Sequence, residues 1–177
     1  RYGLDQKTVI CRYCGLIRSN PRMTEVEYQH FYESDTYRLL YGGDIKEFFR
    51  KRFDESEKYY NESKNILKRV KYFKQVDESI KILEFGCGAG HNLMPFLKEG
   101  ANCTGIDYSK ISVEIGRGFG LNILQGGLEK IEGRYNIIIL NHVVEHFLDP
   151  IATLRQIKSH LTSDGLLYIA VPNMENF

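Results

Sequence analysis

Charge of one sign is what this 177-residue sequence most conspicuously lacks: 24 Lys and Arg stand against 23 Asp and Glu, a formal net charge of +1. That balance removes the overall electrostatic footprint of a nucleic-acid binder, so no nucleic-acid partner is expected. Long apolar runs are missing as well. Stretches such as Leu166–Val171 fall far short of the ~20 residues of a membrane span, and no membrane partner is expected. The four cysteines are too few for a disulfide framework in a chain this long. With no secretory signal at its start, the sequence is expected in a reducing, cytoplasmic setting. Repeats and low-complexity tracts are absent. What is present is a globular composition, 42% hydrophobic and 27% charged, in a length suited to one domain with a small appendage. The sequence opens at Arg1 without a Met and ends just after a strand-like run, the pattern expected of a piece of a longer chain.

Three regions differ in texture. Residues 1–22 hold short strand-like pieces around Cys11-Arg12-Tyr13-Cys14-Gly15. Two thiols one tight turn apart, with Gly15 free to take the positive φ of that turn, have the form of half a metal knuckle. A structural zinc takes four ligands, and no second Cys-x-x-Cys occurs in the sequence. Cys11 and Cys14 are therefore expected to form a half-site only, zinc being possible only in a longer chain. Residues 23–78 are aromatic and heavily charged, with a break at Gly42-Gly43 and Asp44 placed as the N-cap of a helix. From Ile45 the apolar positions Phe49, Phe53, Tyr60, Leu67 and Val70 recur at helical spacings, which predicts one long amphipathic helix with a solvated Lys/Glu face.

Residues 79–177 change again. Strand-like runs at Ile80–Phe85, Cys103–Ile106, Asn122–Leu124, Tyr135–Leu140 and Leu166–Val171 alternate with helical ones at Asn92–Lys98, Ser109–Gly116 and Pro150–His160. Parallel strands need crossovers, and these crossovers are helical. The expected fold class is therefore α/β, a parallel sheet of about five strands with helices on both faces.

The richest stretch is Glu84-Phe85-Gly86-Cys87-Gly88-Ala89-Gly90-His91. A hydrophobic strand runs into glycines at alternate positions and then into a helix, so the backbone can turn sharply and approach a ligand while N–H groups gather at the helix start. A dinucleotide site wants Gly-x-Gly-x-x-Gly; here the third glycine falls one position early and His91 stands in its place. Glu84 also sets a carboxylate beside the loop, where a pyrophosphate is repelled and an ammonium is welcome. The implied ligand is a nucleoside with a cationic or zwitterionic tail. Asp107 ends the next strand, 19 positions after Gly88 (107 − 88), close to the ~20-residue separation at which such an acid reaches ribose hydroxyls. The alternative is that Asp107 only caps the helix opening at Ser109.

These residues, followed by Gly105-Ile106-Asp107-Tyr108-Ser109 and by Asn141-His142-Val143-Val144-Glu145-His146-Phe147-Leu148-Asp149-Pro150, resemble the successive motifs of class I S-adenosylmethionine-dependent methyltransferases, nearest to the small-molecule group that includes ubiquinone-type O-methyltransferases. The resemblance covers roughly residues 80–173 and implies a Rossmann-like fold with S-adenosylmethionine as cofactor. By position it implies that Glu84, Gly86, Cys87, Gly88, Ala89 and Gly90 line the methionine end, with Asn141 also at the cofactor, and that Asp107 holds the ribose. Tyr108 would lie against the adenine. Gly127 stands where the family often has an acid near the adenine amino group, so adenine recognition falls to backbone groups of Leu128 or to Glu129. The N-terminal Cys pair likewise looks like the second half of a four-Cys zinc knuckle found ahead of some methyltransferase domains. The family's sheet has two further strands after the fifth, which are expected to be missing here together with part of the acceptor wall. Phe31, Tyr32, Tyr37, Tyr41, Phe48 and Phe49 either pack the helices against the sheet or form a lid over the ligands.

The implied function is methyl transfer to a small-molecule acceptor, with oxygen the favoured atom. An O-methyltransferase needs a way to remove the acceptor's proton, and His is best poised for that near neutral pH. His146 is the first candidate for general base and His142 the second; alternatively Glu145 and His146 only steady their loop. The sequence carries no Asn-Pro-Pro-aromatic or Asp-Pro-Pro-aromatic motif and no Pro-Cys nucleophile, as DNA methyltransferases would. Two other readings stand beside this one: a catalytically silent S-adenosylmethionine-binding module, and a nicotinamide-dependent oxidoreductase, which Glu84 and His91 disfavour.

Overall fold

The computed structural model describes residues 7–34 and 44–173. Tyr37, Tyr41 and the Gly42-Gly43 break lie outside the described residues.

A short antiparallel hairpin comes first, β1 (Lys7–Ile10) against β2 (Ile17–Asn20), with Lys7 opposite Asn20. Helix α1 (Glu25–Glu33) comes next, opened by a capping box in which Thr24 and Glu27 satisfy each other's backbone N–H groups. Asp44 caps the following helix through the Lys46 N–H, as its position predicts. The single long helix expected from Ile45 onward is in fact two, α2 (Ile45–Phe53) and α3 (Lys58–Lys71). Asp54 makes the break: its carboxylate accepts from the Ser56 N–H at 3.0 Å and the Ser56 hydroxyl at 2.7 Å, a local turn that competes with helix. The apolar spacing still reports burial on both sides of the break, since Phe49 and Tyr60 are each buried.

The main sheet comprises β3 (Lys81–Phe85), β4 (Asn102–Asp107), β5 (Asn122–Gln125), β6 (Tyr135–Asn141) and β7 (Leu161–Ala170). Its order is β5-β4-β3-β6-β7 and every pairing is parallel. The helices between are α4 (Met94–Lys98), α5 (Lys110–Gly118) and α6 (Pro150–Ser159). This is a Rossmann-like α/β fold. The predicted helix Asn92–Lys98 is shorter than expected: a 3₁₀ turn at His91–Leu93 precedes α4, which starts with Pro95 near its N-terminus, where proline's missing N–H costs nothing. Strand β7 starts earlier than expected, because Leu161 already pairs with Tyr135 before a register shift brings Leu166 opposite Ile137.

Alternation along β6 divides the core in two. Ile137 and Ile139 face one cluster with Ile66 and Val70 of α3, Leu93, Phe96 and Val113. Ile138 and Leu140 face the other, with Leu83, Ile106 and Ile157 of α6. All four β6 residues are fully buried, so the run is apolar because both faces are covered.

Candidate cofactor and acceptor site

The strand order reverses at β3: the chain builds outward to β4 and β5 on one side, then crosses back to β6 and β7 on the other. Ligands of open α/β sheets bind at the carboxyl ends of the strands beside such a switch point. The glycine turn leaves β3 there. Gly86, Gly88 and Gly90 have φ of 69°, 57° and 80°, a region costly for residues with a Cβ. A Cβ on Gly86 would lie 2.5 Å from Val143 Cγ2, so this position admits no side chain for reasons of both torsion and space. Several of the turn's N–H groups are spent within the fold. Those of Gly86 and Cys87 both donate to Ile106 O, and that of Gly90 donates to Cys87 O. The Gly88 N–H reaches across to Asp107 Oδ2 at 2.7 Å. Cys87 and Ala89 are buried within the turn.

Asp107, at the tip of β4, also accepts from the Ser109 N–H at 2.9 Å. The cap of α5 is instead the Ser109 hydroxyl, which accepts from Ser112 N–H at 3.1 Å. Asp107 thus joins two loops rather than capping the helix.

Glu84 is 1% exposed. Asn92 Nδ2 donates to its Oε1 at 2.7 Å, while its Oε2 has no hydrogen-bond partner among the described residues. Burial pushes the Glu84 carboxyl up to about 8, against the pull of the Asn92 hydrogen bond and with a further push from the Asp107 charge. Asn92 is itself fixed by α3, since the Ser63 hydroxyl donates to Asn92 Oδ1 at 2.9 Å. Neither Ser63 nor Asn92 was among the sequence's candidates. The available signal was a serine in the apolar stripe Tyr60, Ser63, Ile66, Val70, all of which are buried.

Tyr108 is half-buried, and burial with the nearby Glu129, Glu25, Glu33 and Asp107 charges raises its phenol. Its ring stands over Gly127, where a Cβ would collide with the phenol. Glu129 Oε1 accepts from the Gly127 N–H at 2.9 Å, so that carboxylate is engaged within its own turn; Leu128 lies in the same 3₁₀ segment.

At the end of β6 the two candidate histidines part company. His142 has φ 56°, a strained setting for a residue with a side chain, and its N–H donates to Ala170 O at 2.9 Å. Together with Asn141, Asn92 and Tyr168 it lines a cleft of about 530 Å³ between α3 and the sheet. His146 is absent from that lining; its ring lies 6.1 Å from the Tyr32 ring of α1. Glu145 Oε1 stands 3.8 Å from His142 Nδ1 and 3.9 Å from His146 Nε2, with both imidazoles exposed. Beside them Arg22 donates to Phe147 O at 2.9 Å, so the segment carrying α1 rests on the loop after β6.

The Cys pair sits at the tip of the β1–β2 hairpin, where Gly15 has φ 72° and its N–H donates to Cys11 O. Hydrogen bonds from the Cys14 and Tyr13 backbone hold the Cys11 thiol below the usual range. Both thiols are free. Among the described residues no group of three or more His, Cys, Asp or Glu is placed to hold a metal ion.

A parallel sheet of this order, with a glycine turn after its central strand and an acid at the neighbouring strand's tip, defines a domain of the Rossmann-like class. Within that class the chain belongs to the methyltransferase domain family, whose profile matches residues 50–176. It is 28% identical over 116 residues to the ubiquinone biosynthesis O-methyltransferase of Rickettsia prowazekii, covering 61% of this chain and 46% of the relative. To the enzyme of the same name from Vibrio parahaemolyticus it is 28% identical over 103 residues, covering 52% and 44%. The chain thus spans about half the length of the curated relatives it matches. Among solved structures, the magnesium protoporphyrin IX methyltransferase of Synechocystis PCC 6803 with bound SAM superposes with a TM-score of 0.57 at 16% identity, covering 80% of this chain and 74% of that one. The plantazolicin methyltransferase BpumL superposes with a TM-score of 0.58 at 19% identity, over 79% and 55%. No helix among the described residues is long and apolar enough to cross a membrane.

Proposed function

We propose that this chain binds S-adenosylmethionine and transfers its methyl group to a hydroxyl oxygen of a small-molecule acceptor in the cytoplasm. One observation carries the cofactor reading: a fully buried carboxyl, Glu84, keeps an oxygen without a hydrogen-bond partner among the described residues, beside the glycine turn and near Asp107. A buried acceptor of that kind is costly unless a ligand supplies a donor, and an ammonium group suits it. When bound, S-adenosylmethionine supplies an electrophilic methyl carbon on a sulfonium.

The chain's residues divide the remaining work. Asp107, aligned by the Gly88 and Ser109 N–H groups, accepts from the ribose hydroxyls. Tyr108 offers a flat wall to the adenine, and Leu128 its backbone. Gly86 through Gly90 let the cofactor approach the main chain. His142 borders the cleft, so it takes the acceptor's proton at a ring nitrogen; His146, set first by the sequence, instead steadies α1 through Tyr32. The names of the Rickettsia and Vibrio relatives support oxygen as the accepting atom, and four cysteines outside any disulfide suit a reducing compartment.

Calorimetry with S-adenosylhomocysteine tests the reading. Binding by the wild-type chain and its loss in Asp107→Ala are the expected results; equal affinity in both would sink the ribose assignment.

A further inference from the structure

The cleft beside His142 has a second wall that the cofactor reading leaves unused. Helices α2 and α3 present Arg52, Tyr59 and Arg69 to it. The Arg52 guanidinium lies 3.5 Å from the Phe48 ring centre and 4.2 Å from that of Tyr59, and its Nη1 donates to Phe48 O at 3.4 Å, which fixes the plane of the guanidinium at the cleft wall. Arg69 lies roughly three turns beyond Tyr59 on α3. It is exposed, and no carboxylate among the described residues lies within ion-pair distance of it. Glu62 also borders the cleft, but its carboxylate is turned to Lys58 at 3.7 Å. Two guanidiniums therefore face a cavity whose one bordering carboxylate among the described residues is already engaged. Tyr59 and Tyr168 add flat apolar surface, and about 530 Å³ falls in the range of small-ligand sites, roughly 300–1,000 Å³.

We infer that this cleft is the acceptor site and that its ligand is a small aromatic anion, the negative group held by Arg52 and Arg69 and the hydroxyl turned toward His142. The inference rests on the cofactor reading above and adds the substrate class. A neutral acceptor would leave the Arg69 guanidinium facing an apolar ring, whereas a carboxylate gains charge-assisted hydrogen bonds from it beside the stacked Arg52. The rival occupant is the cofactor's own methionine carboxylate, and the test separates the two.

Ligand-observed NMR titrations with 3-hydroxybenzoate and its neutral counterpart 3-hydroxybenzamide, at saturating S-adenosylhomocysteine, supply the readout. The wild type is expected to bind the benzoate at least roughly tenfold more tightly than the amide, the size of one charge-assisted bond. Arg69→Met, an exposed change that spares the core, should erase that preference while S-adenosylhomocysteine affinity by calorimetry is unchanged; Arg69→Lys should restore part of it. No preference in the wild type overturns the inference. So does a parallel fall in S-adenosylhomocysteine affinity in Arg69→Met, which would hand the guanidiniums to the cofactor tail. Failure of the wild type to bind S-adenosylhomocysteine at all would instead overturn the cofactor reading.

Discussion

The side-chain amide of Asn92 donates to Glu84 Oε1 at 2.7 Å, eight residues back along the chain, and leaves Oε2 of the same buried carboxyl without a partner among the described residues. One oxygen is thus fixed by the fold while the other is kept for something else. Helix α3 takes part as well, because Ser63 orients the Asn92 amide.

A pH dependence arises from this pair. The Glu84 carboxyl is raised from an ordinary value of 4.5 to about 8, so between those limits the folded state holds a proton that the unfolded state has lost. Stability contributed this way is present at low pH and declines as pH rises toward 8. Urea midpoints should fall across that window in the wild type and stay flatter in Glu84→Gln. Binding of an ammonium-bearing ligand favours the ionised carboxylate, so S-adenosylhomocysteine affinity should rise with pH over the same window; a flat profile would contradict the role assigned to Glu84.

Asp107 makes two charge-assisted bonds to loop N–H groups and, in the proposed complex, two more to the ribose. Asp107→Ala should reduce S-adenosylhomocysteine affinity by roughly tenfold to a hundredfold or more, since each such bond contributes about 1.5–3 kcal/mol. Asp107→Asn, which keeps the shape and loses the charge, should fall between. Calorimetry on the three proteins checks the order.

The glycine turn should separate torsional strain from crowding. Gly133 has φ 73° with open space where a methyl would go, whereas Gly86 at φ 69° would drive a methyl against Val143. Gly133→Ala should lose only the left-handed penalty of about 1–2 kcal/mol. Gly86→Ala should lose clearly more in chemical denaturation. Equal losses would mean that Val143 yields without cost.

The two histidines make opposite predictions. His142→Ala should lower single-turnover methyl transfer by about 10²–10⁴, the usual contribution of a general base, without changing S-adenosylhomocysteine affinity. His146→Ala should leave the rate nearly intact and loosen α1, seen as faster amide exchange around Tyr28 and Tyr32. The reverse result would return the base to His146.

Much of the fold was legible because its determinants are local. Alternating strand and helix patterns marked the five parallel strands to within a few residues at most boundaries, and glycines at alternate positions marked the turn after Phe85. Asp44 announced its helix by residue type alone. The misreadings share a cause. The apolar spacing from Ile45 to Val70 suits one helix as well as two, and the side-chain turn at Asp54 decided the matter. Leu161 reads as a loop residue until Tyr135 is there to pair with it.

By itself the sequence determined the residue types at the strand tips, the turn that only glycine can make, and the absence of any large field of one charge. Those features depend on torsional limits and hydrogen-bonding capacity within a few residues of each position. Tertiary structure alone decided that Ser63 meets Asn92, that His142 enters the cleft while His146 leaves it for Tyr32, and that Arg52 and Arg69 share a wall. Each of those contacts joins separate elements of the chain, and their distances are set by how the helices pack on the sheet and on one another, which no local pattern encodes.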